Sequence, residues 1–547
     1  IGGVILLGVE ELPDHSLRPI NLPNAEQMVS EFWNIVNNPN KTSVNILTDK
    51  NVEIHEQDGC KFISITVPRA QRYDKPVFID SNPLTGTYRR NGEGDYKCAP
   101  EAVQAMMRDA AAKTQDMMVL DASNVEEVAS KVDFIFCAVD MPKAEIRALE
   151  EAYAKAAGAA KSILLHNGSS AGIHGMMQLW AREGETVILG RNAHLSAVNG
   201  AIMGGVNIVW IPAHQTQDGY CIIRPEDALK TLRENPHARA ILLTRPDYYG
   251  GMMQLEEIIA QAHQLGARVA VDEAHGAHLP WLEGEPSAGE LGADAWVQSV
   301  HKTLPGLTGS AVLHLADAAD APRALALIRR SQTSSPSFVL MMSVDDARVY
   351  MEETGSNRLR EVVQAANKLR RELQGYRDAH ETWRETGMTF DPTRLVIEAP
   401  QGGEKLAQQL ARHGVDVEMH DDRRVVIILT AMDDACTVEK IAAALKEIPP
   451  EKMEMPQMAP LLPLPEKAMD VRRAVMAETE LVALNEAEGR IAAASAGLYP
   501  PGIPLVCPGE IITKEVIARL SGAENRQRFG VEGNGISCVR KSDSTSA

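Results

Sequence analysis

The chain has 547 residues, 44% of them hydrophobic, and is long enough for several domains with apolar cores. It carries 74 Asp and Glu against 55 Lys and Arg, a net charge of −19 that argues against a chain-wide attraction to nucleic acids or anionic membranes. No apolar run approaches the roughly 20 residues of a membrane span, and no signal peptide is visible. Seven scattered cysteines without a C-x-x-C pair indicate reduced thiols rather than disulfides or a metal site, so we expect a cytoplasmic protein.

The amino-terminal segment contains three short motifs. They are GGVILLGVE at 2–10, FWNIVNNP at 32–39 and PLTGTYRRNGEG at 83–94. In these motifs residues 1–120 resemble the AlbA-type DNA-binding domain of Schlafen-like and helicase-like bacterial regulators. We expect this segment to be a fragment of such a domain, because that family's opening portion would precede residue 1. The resemblance makes Arg89 and Arg90 candidates for contact with a nucleic-acid backbone. The competing interpretation is a solvated hairpin, because the segment has no basic stripe.

Residues 121–157 form a connector with an apolar run, VDFIFCAVD at 132–140, followed by a helical pattern. They resemble a strand and helix of aspartate-semialdehyde dehydrogenase. That family's nucleophilic cysteine motif and nucleotide loop do not occur in the sequence. We therefore interpret Cys137 as a buried strand residue and not as a nucleophile.

Residues 158–378 alternate short Val, Ile and Leu runs with helical patterns, and 316–375 are predicted to be helical. Strands separated by helices predict βαβ units and a mostly parallel sheet that is covered on both faces. The predicted strands are 186–189, 206–211, 240–243, 268–271 and 295–298.

The remainder divides at a segment rich in Pro and Met. Residues 379–448 predict a smaller α/β domain, with strands near 395–398 and 425–429. Residues 449–470 predict a linker, and 471–547 a carboxy-terminal module that ends in a polar tail.

Two polar motifs follow predicted strands of the large domain and carry the strongest functional signal. VDEAHGAH at 271–278 places Asp272 at a strand end, and SVHKTLPGLT at 299–308 contains Lys302. A pyridoxal phosphate (PLP) enzyme needs this pair, because the lysine amine forms a Schiff base and the aspartate keeps the pyridine nitrogen protonated. The competing interpretations are a helix N-cap for the aspartate and a solvated surface lysine.

In these motifs the chain resembles the bacterial ornithine/lysine/arginine decarboxylases of PLP fold type I, over about 158–520. LYPPGIPLVCPGE at 498–510 is similar to their carboxy-terminal signature. The resemblance implies an α/β fold: a large PLP-binding domain with a mostly parallel sheet, a smaller α/β domain and a carboxy-terminal α+β module, preceded here by an unrelated α+β segment. It also implies decarboxylation of arginine, lysine or ornithine to an amine and CO2, a role in polyamine biosynthesis, and at least a homodimer. The family's amino-terminal arm, with its His-x-Pro-Gly-His-Lys stretch, is not found in this sequence, and we expect this to affect the dimer and the activity.

The resemblance implies a phosphate site at NGSSAG, 167–172, where Gly168, Ser169 and Ser170 begin a helix. N-capping alone is the alternative interpretation. His194, in RNAHLS at 191–196, would stack on the pyridine ring and hold it flat.

Four more residues receive roles from the same resemblance. Ser299 would contact the phosphate, and His301 would lie near the substrate carboxylate as a candidate proton donor to Cα. His275 would lie at the cofactor or have a structural role. Glu510 would recognise the distal cation of the substrate, unless it is only a solvated loop carboxylate.

Two alternative functions stay open at this point. An aminotransferase of the same fold would use an arginine clamp in the small domain, where Arg394 and Arg424 occur. A catalytically inactive or regulatory chimera would instead bind nucleic acid or a partner through its amino-terminal segment.

Overall fold

The computed structural model describes most of the chain. The described residues are 3–12, 16–57, 59–68, 70, 76–80, 82–91, 94–98, 103, 143–451, 461–499, 502–522 and 527–541. Two units are present, Ile1–Asp133 and Phe134–Ala547. The predicted strand around Cys137 lies outside the described residues. No helix in the described ranges is long and apolar enough to cross a membrane.

The first unit is built on a small antiparallel sheet. Its three strands, in spatial order, are Gly3–Leu7, Cys60–Val67 and Val52–Gln57. The helix Ala25–Val36 packs against this sheet over a small apolar core. Strands Tyr88–Asn91 and Gly94–Lys97 pair as a hairpin, and the side chains of Arg89 and Arg90 on it are outside the described part of the structure.

The second unit is built around a seven-stranded mixed sheet. In spatial order its strands are Asn207–Ile211, Thr186–Gly190, Ala240–Thr244, Arg268–Asp272, Ala295–Gln298, Ala311–Leu315 and Lys161–Leu165. The first five run parallel, whereas Ala311–Leu315 is antiparallel to both of its neighbours. The five strands predicted from the sequence lie within one residue of those observed, which confirms the mostly parallel α/β sheet.

Both faces of this sheet are buried. In the central strand Ala240–Thr244, Ile241 and Leu243 belong to one apolar cluster, whereas Ala240 and Leu242 belong to another. Successive strand side chains point to opposite faces, so continuous apolar runs are what a doubly covered sheet requires. The helices of this domain are Lys143–Ala156, Gly168–Leu179, Leu195–Gly204, Pro225–Glu234, Glu256–Gln264, Ala321–Ile328, Phe338–Tyr350 and Ser356–Glu372.

A smaller antiparallel sheet follows the large domain. Its strands, in spatial order, are Arg377–Asp378, Arg394–Glu398, Arg424–Ile428 and Met419–His420. Helices Gly403–Arg412 and Ala435–Glu447 pack with the long helix Ser356–Glu372 around a separate apolar core.

The carboxy-terminal module has two three-stranded antiparallel sheets. Their strands are Thr479–Ala483, Gly535–Val539 and Val531–Glu532 in one sheet, and Pro504–Val506, Ala496–Tyr499 and Gln527–Phe529 in the other. Helix Lys514–Ser521 contributes Val516 and Leu520 to the core between them.

A chain of buried hydrogen bonds crosses the large sheet. Ser162 Oγ lies 2.8 Å from His314 Nδ1, and His314 Nε2 lies 3.2 Å from Gln298 Oε1. Gln298 then donates to Glu273 Oε2 at 2.7 Å. Burial raises the pKa of Glu273 to about 8, although the bond from Gln298 opposes that rise. Because Gln298 and Glu273 adjoin Ser299 and Asp272, this chain fixes the strand ends that matter for function.

Replacing Gln298 with Leu should destabilise the large domain. The substitution leaves buried polar atoms of Glu273 and His314 without their partner, at a cost of about 1–3 kcal/mol in the free energy of unfolding. Urea unfolding, monitored by tryptophan fluorescence, measures this change in the free energy of unfolding. Gln264→Leu makes the same chemical change at an exposed helix position and should stay within about 0.5 kcal/mol of the parent. Equal effects of the two substitutions would contradict the structural role of this chain of hydrogen bonds.

Candidate active site

Two neighbouring strands end at the residues that were predicted to carry the chemistry. Strands Arg268–Asp272 and Ala295–Gln298 pair in parallel, so Asp272 and Ser299 emerge at the same edge of the sheet. A single helical turn follows Ser299 and carries Lys302. The sheet therefore gathers two motifs that are about thirty residues apart in the sequence.

The Lys302 amine contacts a buried histidine. Its Nζ lies 3.1 Å from His275 Nε2. The other ring nitrogen, Nδ1, lies 3.4 Å from Nη2 of Arg394, which also donates to the His275 carbonyl oxygen at 3.1 Å. Because an arginine only donates hydrogen bonds, Nδ1 is the acceptor and the imidazole proton lies on Nε2. Lys302 can accept a hydrogen bond from this N–H only as a neutral amine, because an ammonium group has no lone pair.

Desolvation favours the same protonation state, although the two nearby carboxylates oppose it. Desolvation lowers the pKa of Lys302, Asp272 raises it, Arg394 lowers it and Glu418 raises it, with a net decrease. The side chain is nevertheless open to solvent on one side, as an amine that has to meet another molecule must be. Burial, together with the positive charges of Lys302 and Arg394, also holds the pKa of His275 well below its ordinary value. The pKa of both groups is therefore lower than usual, which favours their neutral forms.

Asp272 is a buried carboxylate within the field of two potential cations. Its Oδ1 accepts a hydrogen bond from the Ala274 amide at 3.1 Å. Burial raises its pKa, and the charges of His194 and Lys302 oppose that rise. His194 caps the helix that follows it, with Nδ1 accepting from the Ser196 amide at 3.2 Å. The structure thus brings His194, Asp272 and Lys302 into one electrostatic cluster.

The start of the helix Gly168–Leu179 offers donors to an anion. Asn167 precedes the helix but its side chain makes no capping hydrogen bond, and the first-turn amides of any helix lack partners within it. Ser169 and Ser170 lie in this turn and are half-buried. The Gly168 amide donates to the Gly309 carbonyl at 2.9 Å, which ties the turn to the loop behind Lys302.

Two hydroxyls beside that loop are buried without a partner. Ser299 Oγ and Ser310 Oγ have no hydrogen-bond partner among the described residues. An unpaired buried hydroxyl is costly, so these atoms fit a bound phosphate, which would accept their hydrogen bonds. His301 Nδ1 lies 2.8 Å from the Ser310 carbonyl oxygen, so this nitrogen carries the proton and Nε2 is the one that can accept another.

Arg394 reaches His275 from the smaller sheet. It is fully buried, and Oδ2 of the equally buried Asp391 lies 4.0 Å from its Nη1. Asp391 also lies 3.2 Å from His278 Nε2 and accepts from the Thr393 hydroxyl at 2.6 Å. Asp391 thereby balances the arginine charge, and the strand after it is locked to the loop that carries His275.

Comparisons with known proteins identify the family of this chain. The model of the Orn/Lys/Arg decarboxylase major domain matches residues 139–394, and that of the Orn/Lys/Arg decarboxylase C-terminal domain matches 453–529. An arginine decarboxylase of Bacillus subtilis (strain 168) is 32% identical over 397 residues, which cover 69% of this chain and 81% of that protein. The chain belongs to the Orn/Lys/Arg decarboxylase family. The uncharacterized protein YaaO of the same organism is 32% identical over 402 residues, with 70% and 82% covered.

Solved structures of lysine decarboxylases share the fold. The enzyme LdcF of Francisella novicida superimposes with a TM-score of 0.63 at 19% identity, covering 74% of this chain and 73% of that one. The constitutive lysine decarboxylase of E. coli also gives 0.63, at 17% identity, covering 81% and 85%. The predicted α/β fold is thus confirmed.

The family match begins earlier than the sequence analysis placed it. It starts at residue 139 and includes the helix Lys143–Ala156, which was assigned to the dehydrogenase-like connector. This helix contributes Tyr153 to the core of the decarboxylase domain. Residues 1–138 lie outside both matches, and their AlbA-like and dehydrogenase-like resemblances stay predictions.

Glu510 has a partner other than a substrate. Its two carboxylate oxygens accept from Arg191 Nη1 and Nη2 at 2.8 and 2.9 Å, and Oε2 also accepts from the Cys507 amide at 2.7 Å. The side chain is buried, and Arg191 lies over the Trp210 ring. In this arrangement both oxygens of Glu510 are already occupied, so the structure gives no support to the predicted contact with a distal cation.

Three residues of this site were not predicted from the sequence to belong to it. Arg394 was considered only as an aminotransferase clamp, and Tyr248 and Glu418 were not assigned a role. Tyr248 packs edge-on against His275, with ring centroids 4.9 Å apart, and donates to Glu418 Oε1 at 2.7 Å. The motif TRPDYYG at 244–250 was the available signal for Tyr248, whereas nothing local in the sequence distinguishes Glu418.

Replacing Arg394 with Gln should make Lys302 less reactive. The substitution removes a positive charge that lowers the pKa of Lys302, so less neutral amine is present at neutral pH. In cofactor-free protein, acylation of Lys302 at about pH 8, quantified by mass spectrometry, should fall about three- to tenfold.

Arg394→Lys keeps the charge and should retain most of the labelling. The exposed Lys368 in the same samples reports reagent concentration and general folding. Unchanged labelling of Lys302 in the Gln variant would show that Arg394 does not act on the amine.

Proposed function

We propose that this chain binds PLP through Lys302 and decarboxylates a basic amino acid: arginine, lysine or ornithine. The observation that carries the proposal is the contact of the Lys302 amine with His275, beside the buried Asp272, at two adjacent strand ends. When bound, PLP supplies an aldehyde that such an amine can attack and a ring that accepts the electron pair left by departing CO2.

The residues of the chain would divide the remaining work. Asp272 holds a proton at the ring nitrogen, and that ion pair compensates the burial of its carboxylate. Ser169, Ser170 and Ser299, together with the helix start at Gly168, hold the phosphate. His194 covers the ring face.

Two histidines would serve the reacting atoms, the substrate Cα and the Lys302 amine. His301 would be the proton donor to Cα, because its Nδ1–H is fixed on the Ser310 carbonyl and Nε2 is left as the nitrogen for proton transfer. His275 would orient the Lys302 amine until it reacts, through the contact of 3.1 Å between them.

The substrate class follows from the relatives and the family. Arginine is the first substrate to assay, because curated relatives that are 30–32% identical are named arginine decarboxylases. We further propose that the amine product enters polyamine biosynthesis, that the enzyme acts in the cytoplasm and that it works as a homodimer or a larger homo-oligomer.

The arginines of the small domain favour decarboxylation over amino transfer. Arg394 is bound to His275, and Arg424 forms ion pairs with Asp218 at 2.6 Å and Asp421 at 3.1 Å. Both side chains are almost fully buried, although Nε and Nη1 of Arg394 have no hydrogen-bond partner among the described residues. Incubation with arginine and a 2-oxo acid should therefore release CO2 without forming a new amino acid.

Substitution of Lys302 and Asp272 tests the proposed chemistry. Wild-type protein mixed with PLP should gain visible absorbance from covalently held cofactor and release CO2 from at least one basic amino acid. Lys302→Ala should lose both, whereas Asp272→Asn should keep covalent binding but lose about 100-fold or more of the rate.

The exposed Lys368 offers a matched control, because Lys368→Ala should leave both readouts unchanged. Covalent cofactor or undiminished CO2 release in Lys302→Ala would refute the role of Lys302.

A further inference from the structure

A line of contacts leads from Lys302 to a carboxylate in the small domain. Lys302 Nζ contacts His275 Nε2 at 3.1 Å, and the His275 ring packs against the Tyr248 ring, with centroids 4.9 Å apart. The Tyr248 hydroxyl then donates to Glu418 Oε1 at 2.7 Å. Glu418 itself directly precedes the edge strand Met419–His420, which fixes its backbone. One tyrosine therefore contacts both the histidine of the active site and this glutamate.

Glu418 differs from the buried carboxylates nearby in its partners. Asp391 is paired with His278, Asp421 with Arg424, and Asp247 with the Tyr220 hydroxyl and backbone amides. Glu418 is exposed, its hydrogen bond comes from a neutral phenol, and no Lys, Arg or His of the described residues forms an ion pair with it. Within the described part of the chain, no cation neutralises its negative charge through an ion pair.

The charge of Glu418 affects the pKa of the Lys302 amine. Two carboxylates, Asp272 and Glu418, raise the pKa of Lys302 against desolvation. Asp272 is buried at a strand end and is already assigned to the cofactor. Glu418 is therefore the accessible negative charge whose field reaches Lys302.

We propose that Glu418, oriented by Tyr248, binds the distal cation of the substrate and sets the preference for basic amino acids. This inference rests on the proposed function and adds the residue that selects the substrate. A guanidinium or ammonium group would form a charge-assisted hydrogen bond with the carboxylate, which is stronger than one between neutral groups. Tyr248 acts as a positioning residue, because its hydroxyl fixes one carboxylate oxygen and leaves the other to the ligand.

The test compares charged substrates with neutral isosteres on the holoenzyme. Arginine is paired with citrulline, and lysine with norleucine, in CO2-release assays of wild type and Glu418→Gln. For the charged substrate, Glu418→Gln should raise KM about 10- to 100-fold with little change in kcat, and the discrimination against the neutral isostere should shrink by a similar factor. Asp416→Asn, an exposed acid two residues away, should leave all these values unchanged.

Binding provides a readout that does not depend on turnover. Calorimetric titration of the holoenzyme with agmatine and cadaverine, the amine products of arginine and lysine, should give an affinity about tenfold or more lower in Glu418→Gln. Tyr248→Phe should lower it by a smaller factor, because the carboxylate remains but is less well oriented. Glu418→Asp should bind more tightly than Glu418→Gln, since it keeps the charge.

The outcomes separate the two proposals. A wild-type enzyme that decarboxylates basic amino acids, with KM and amine affinity unchanged in Glu418→Gln, would overturn the role of Glu418 while leaving the proposed function intact. A wild-type protein that binds the amines through Glu418 but releases no CO2 would support the site and refute the reaction. Equal losses in Asp416→Asn and Glu418→Gln would reduce the effect to general surface charge and overturn the inference.

Discussion

The hydrogen bond between His275 and Lys302 is the constraint on which the rest of the site depends. A lysine is useful as a nucleophile only when its amine is neutral, and a lysine with its ordinary pKa is protonated at neutral pH. Here the proton position follows from geometry, because Arg394 donates to one side of the imidazole and leaves the N–H on the other side to face the amine. Desolvation and the arginine charge act in the same direction on the pKa of Lys302.

The fold supplies this arrangement through its buried sheet. Apolar side chains fill most of both faces, and the two polar motifs begin where the parallel strands Arg268–Asp272 and Ala295–Gln298 end, at one edge of the sheet. The hydrogen bonds of Glu273 and Gln298 beneath that edge fix the two segments that bear Asp272 and Lys302. The Asp391–Arg394 pair then ties the smaller sheet to the same place.

Local pattern was enough to predict the large sheet and the central pair of residues. The strand 268–272, for example, is a continuous apolar run followed at once by a polar motif. The strand Ala311–Leu315 runs antiparallel to its neighbours, and a run of apolar residues carries no information on direction. Arg394 and Glu418 shift the pKa of Lys302, although both lie about a hundred positions from it in the sequence. Only folding brings them near the amine. The role of Glu510 at the substrate was predicted from the family resemblance, and nothing local in the sequence links it to Arg191, over three hundred residues away.

The central claim is that Lys302, and no other amine of the chain, forms the covalent bond with the cofactor. Borohydride reduction of the protein after incubation with PLP would make that bond permanent, and peptide mass spectrometry would locate it. The account predicts one pyridoxyl group per chain, on the peptide that contains Lys302. Stoichiometric modification of a different lysine, with Lys302 unmodified, would contradict it.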